Sequence, residues 1–107
     1  MGTAKKKEPE YLTYKGKPLL REDNQLYYGD FNDNYICLFT VENSKKVGGL
    51  DVATGVSVSL LEKRGDGIEN AKLVRKAQRD SLYAALDLGV FWLHDTLEME
   101  KEFNARS

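Results

Sequence analysis

The chain has 107 residues, 41% hydrophobic and 31% charged, with a formal net charge of -1. This length supports one modest core and not two, and the composition is that of a folded chain rather than a disordered one. The near-neutral balance gives no bulk attraction to nucleic acid or to an anionic membrane.

The only cysteine, Cys37, excludes an intrachain disulfide framework and a thiolate-rich zinc site. No apolar run approaches the roughly 18 residues that span a bilayer, and none follows the N-terminal lysines to form a signal peptide. A lone cysteine in an apolar run fits a reducing compartment, so the expected location is the cytoplasm. Residues 1–10, with Lys5, Lys6 and Lys7 in a row, read as a flexible basic leader. Residues 11–103 form a single domain, and 104–107 a frayed end.

In chain order, Tyr11-Leu12-Thr13-Tyr14 is rich in strand formers, and Gly16-Lys17-Pro18 signals a turn. Leu19 and Leu20 open a second strand that Glu22-Asp23-Asn24 ends. Leu26-Tyr27-Tyr28 makes a third, closed by Gly29. The apolar run Tyr35-Ile36-Cys37-Leu38-Phe39-Thr40-Val41 reads as a central strand covered on both faces or nearly so. Residues 43–46 form a turn or a continuation of that strand to Val47, Gly48-Gly49 breaks the chain, and Thr54-Gly55 signals another turn. Val56, Val58 and Leu60 share one face of a half-buried strand. A loop at Arg64-Gly65-Asp66-Gly67 follows, and Leu73-Val74-Arg75 suggests a last edge strand.

The only long helical pattern lies at 79–103, capped by Asp80 or Ser81. Leu82, Leu86, Gly89, Leu93 and Leu97 fall on one stripe, flanked by Ala85 and Trp92 on one side and by Tyr83 and Val90 on the other. The arc is wider than one sheet face demands. Gly89 costs about 1 kcal/mol against alanine in a helix interior, so it marks either a close approach of another backbone or a tolerated defect. Short connections imply antiparallel neighbours. The expected fold is α+β: an antiparallel sheet of four to six short strands, curved or partly barrel-like, packed against one long C-terminal helix.

Candidate chemistry is thin. His94 shares the polar side of the helix with Asp87 and Glu98, an arrangement that is ordinarily just solvated. Cys37 lies in the most apolar strand, where a thiol is buried rather than activated. Asp30-Phe31-Asn32-Asp33-Asn34 echoes half a calcium loop, which then fails at Tyr35 and Val41 and reads as a turn. Arg64-Gly65-Asp66 is a chance match to an adhesion tripeptide. No catalytic residue, cofactor or metal ligand is predicted, and the chain does not read as an enzyme.

Two segments, Tyr11-Leu12-Thr13-Tyr14-Lys15-Gly16-Lys17-Pro18-Leu19 with Tyr27-Tyr28-Gly29, and Leu82-Tyr83-x-Ala85-Leu86-Asp87 before Trp92-Leu93, carry a resemblance. Together they resemble a group of small uncharacterised bacterial proteins that pair such an N-terminal hairpin with a C-terminal helix. The resemblance implies one intact domain from 11 to 97 and no functional residue. The expected function is a small non-enzymatic binding or assembly module, self-associating through the helix edge at Leu88, Val90 and Phe91 or binding another protein. The alternative is a nucleic-acid-binding accessory protein using Lys5, Lys6 and Lys7 with Tyr14 and Tyr28. Glu10, Glu22, Asp23, Asp30 and Asp33 oppose that alternative.

Overall fold

A computed structural model describes residues 10–30, 32–64 and 67–106. Six strands precede one helix: β1 (Glu10–Tyr14), β2 (Lys17–Glu22), β3 (Gln25–Tyr28), β4 (Tyr35–Val47), β5 (Leu50–Arg64), β6 (Gly67–Arg79) and α1 (Leu82–Arg106). The strands form one antiparallel sheet in sequence order, β1-β2-β3-β4-β5-β6.

Turn chemistry explains the meander. Lys15 and Gly16 carry φ of 48° and 86°, and Gly48 and Gly49 carry 59° and 85°. Two central residues in the left-handed region give a hairpin turn whose twist matches that of the flanking strands. The β1–β2 turn thus sits on Lys15-Gly16, one residue before the expected signal.

Strand alternation then sorts the side chains. Leu19, Tyr28, Cys37 and Leu60 lie side by side across β2 to β5, and Leu26, Phe39 and Val58 form the next row. All seven are buried. The opposite face carries the row Leu20, Tyr27, Leu38 and Ser59, all half-buried. α1 covers the first face, lying mainly on β4 and β5 and touching β6 less.

The Ser81 hydroxyl accepts the Ala84 N–H at 3.1 Å, which makes Ser81 the helix cap. Ala85, Val90 and Leu93 enter the core, with Leu82, Leu86, Trp92 and Leu97 packed against its margin. Gly89 rests directly on the sheet. A Cβ built there would lie 2.5 Å from Phe39 Cε1 and 2.8 Å from Cys37 Sγ. The close approach is therefore to a ring and a thiol rather than to another backbone.

Three expectations change. β4, β5 and β6 are 13, 15 and 13 residues long, not short. Thr54-Gly55 is no turn: it lies within β5, where Gly55 faces Asn43 at a bulged register, and a Cβ on Gly55 would come within 2.9 Å of the Asn43 amide nitrogen. The glycine there admits a bulge, as glycine in a strand often does. The sheet is also open rather than barrel-like, with β1 and β6 as its two edges. α1 occupies the face around which closure would have to curl.

Candidate functional site

The polar cluster nearest the core joins β3 to α1. Tyr28 is fully buried, and its hydroxyl lies 2.7 Å from the Tyr14 carbonyl, 3.3 Å from that of Lys15 and 3.1 Å from His94 Nε2. The hydroxyl donates to the Tyr14 carbonyl, and its contact with His94 is a hydrogen bond in the tautomer that carries hydrogen on Nε2. Tyr14 meets the Tyr28 ring edge-on at 6.1 Å. Burial, and to a lesser extent the neighbouring Tyr14 and Cys37, push the Tyr28 phenol up to about 12, so it stays protonated and offers no base. The cluster latches the helix to the first hairpin.

Cys37 is buried, and burial pushes its thiol up to about 12, the opposite of an activated nucleophile. Among the described residues no group of three His, Cys, Asp or Glu is placed to hold a metal. The Asp30 segment is a turn, with the Asn32 N–H on Asp30 Oδ1 at 3.0 Å and the Asp33 N–H on the Asp30 carbonyl at 2.9 Å. Its Phe31 lies outside the described residues, as do Gly65 and Asp66 of the adhesion-like tripeptide. Asp33 is also paired with Lys17 at 2.8 Å. A depression of about 290 Å3 opens beside Arg21, Asp23, Asp51 and Leu82, but the three charged residues among these are exposed and none is held buried against it.

Two of the residues expected to contact nucleic acid are wholly or partly withdrawn from solvent. Tyr28 has no exposed face for a base to stack on, Tyr14 is half-buried with the Lys15 ammonium 5.8 Å from its ring centre, and Lys5, Lys6 and Lys7 lie outside the described residues. The expected helix interface divides. Val90, at 7% exposure, belongs to the core, because the sheet is broad enough to cover that side of α1. Leu88 is half-buried, and Phe91 is 63% exposed.

Around α1, steps of 100° bring Leu88, Trp92 and Met99 together on the flank toward β6, with Phe91 at its outer margin. Met99 is 61% exposed, and the Arg75 guanidinium of β6 lies 5.6 Å from the Trp92 ring centre. Beside this flank runs β6, an edge strand of 13 residues whose outer side meets no other strand. Lys72, Arg75, Lys76 and Arg79 line it, all exposed, with no acidic residue between 70 and 79. Arg75 pairs with Leu60 and Arg79 with Val56, which places both on the helix side, while Lys76 pairs with Ser59 and points to the other face. Among the described residues none of the four cations has an ion-pair partner. The run of one charge sign was available in the sequence. What concealed it was reading the strand as three residues instead of thirteen.

The fold and these surfaces define an open α+β sandwich of one sheet and one helix, with a β6 edge that no described strand pairs with. Compared with family models, curated proteins and solved structures, the chain matches none.

Proposed function

We propose that the protein is a small non-enzymatic binding module that docks another polypeptide on the outer flank of α1, beside the open edge of β6. The observation that carries this reading is the exposed Phe91 and Met99, on the same flank of α1 as half-buried Leu88 and Trp92. Aromatic and methionine side chains are the ones enriched at protein interfaces, and anchors of this kind dominate their energetics.

Selection of randomised displayed peptides tests the reading. Sequences should enrich on the native protein and be lost on a Leu88→Glu/Phe91→Glu variant whose circular dichroism is unchanged. Enrichment no greater on the native chain than on that variant would overturn it.

A further inference from the structure

We infer that the occupant is an acidic, extended segment that adds to β6 as a seventh strand, an inference that rests on the docking reading above. The first reason is the backbone. An uncovered edge strand presents a row of main-chain N–H and C=O groups to any chain that can match its period. β6 is 13 residues long against five at β1, and Arg75–Arg79 is its longest regular stretch, its pairing with β5 being irregular between Leu60 and Leu61 and between Glu62 and Arg64.

The second reason is charge. Lys72, Arg75, Lys76 and Arg79 stand along β6 without a carboxylate among them, whereas Lys17 and Lys46 elsewhere each hold an aspartate at 2.8 and 3.2 Å. Like charges directly opposite one another weaken a strand pair, and opposite charges strengthen it. An antiparallel pair of β6 strands centred on Lys76 sets that lysine against its own counterpart in the second copy. The row therefore disfavours a second copy of this edge and favours a strand of opposite sign.

The third reason is the arrangement of faces. Arg75, Ala77 and Arg79 share the helix side, and Lys76 and Gln78 the other. An added strand would carry a carboxylate opposite Arg75, Lys76 and Arg79. Opposite Ala77 it would carry an apolar residue, on the side where Leu88 and Trp92 overhang the edge. The pattern is two adjacent acids, one apolar residue, one free position and a third acid, or its reverse.

A capped decapeptide with that pattern on a threonine and valine background is titrated into the intact protein and followed by the fluorescence of Trp92, the only tryptophan. Saturable binding is expected, weakening as salt rises, with a lysine-for-glutamate peptide at least about tenfold weaker. The Arg75→Glu/Lys76→Glu variant should reverse that preference. Two further peptides are N-methylated on alternate residues, one in each phase. Strand addition uses the N–H groups of one phase only, so one peptide should lose binding by about tenfold or more while the other binds as the parent does. Equal binding by both phases, or by the acidic and basic peptides, overturns the proposal. So does an oligothymidylate that binds more tightly than the acidic peptide, or a dimer in sedimentation that the charge reversal abolishes. Displayed sequences that lack acids, tolerate the charge reversal and still need Phe91 would sink the acidic strand and leave the docking reading standing. No selected sequence at all would sink both.

Discussion

Gly89→Ala sets two effects of known sign against each other. Replacing a mid-helix glycine by alanine gains about 1 kcal/mol of helix propensity. Here the added Cβ would sit on the Phe39 ring, 2.5 Å from Cε1, and 2.8 Å from Cys37 Sγ. Relief needs movement of about 1 Å, since carbon contacts settle near 3.5–4 Å. Phe39 cannot supply it locally. It is fully buried, with Leu26 and Val58 paired to either side of it in the sheet. The helix must lift or the ring must leave its rotamer, and overpacking of this kind costs about 1–3 kcal/mol. With the clash taken at the upper end, the net destabilisation is about 2 kcal/mol, a fall in Tm of about 8 °C at ~4 °C per kcal/mol.

Urea unfolding followed by far-ultraviolet circular dichroism and by Trp92 fluorescence measures the change. A Gly89→Ala/Phe39→Leu double variant should lose less than the sum of the singles, by about 1 kcal/mol, because the smaller side chain frees the space the methyl needs. If Gly89→Ala proved more stable than the native chain, propensity alone would account for the position, and the flush seating of α1 on Phe39 would be wrong.

Tyr28→Phe strips the bonds to Tyr14 and His94 from a buried site and should cost about 1–2 kcal/mol by the same urea measurement, with His94→Ala costing less because its imidazole is largely exposed. Ser81→Ala, which removes the helix cap, should cost about 1 kcal/mol. The pH dependence follows from two raised groups. Tyr28 and Cys37 go from ordinary values of 10.0 and 9.0 to about 12 on folding, so their contribution is whole below pH 9 and drains away as pH climbs toward 12. Stability against pH should decline from about pH 9 in the native chain and from about pH 10 in Cys37→Ala; a flat profile to pH 11 would contradict the burial of both groups. At pH 8 a thiol reagent should modify Cys37 only as fast as the protein opens.

The part of the fold written in local chemistry was legible. Val56, Val58 and Leu60 alternate, Tyr35 to Val41 is continuously apolar, and Ser81 precedes a 3.6-residue period; each dictated its element directly. What failed was punctuation. Thr54-Gly55 has the composition of a turn, yet Gly55 lies inside β5 opposite Asn43, where the β4–β5 register shifts, a long-range fact that no local window contains. The polar run at residues 43–46, open between a turn and a strand continuing to Val47, is the strand. It is the exposed outer half of a long hairpin whose register is set by Gly48-Gly49. Val90 is buried in the core, although the helical period puts it at the margin of the apolar stripe. The Tyr28–His94 latch joins residues 66 apart and had no sequence signal at all.

A net charge of -1 conceals how the signs are divided. The outer side of α1 carries Asp87, Asp95, Glu98 and Glu102, and the open edge carries Lys72, Arg75, Lys76 and Arg79. Charged edge strands are a common defence against edge-to-edge aggregation, and that function alone would account for a lysine or two on β6. It would not account for the neighbouring surface. A strand that needed only protection gains nothing from Phe91 and Met99 left in water beside it, since exposed apolar groups work against the solubility the lysines provide. Nor would protection require one sign, because mixed charges serve as well and create no field. An uncovered backbone, a row of cations and an apolar overhang on one side are what an acidic strand would need to be held and oriented. Each like-charge row meanwhile works against pairing with its own counterpart in a second copy.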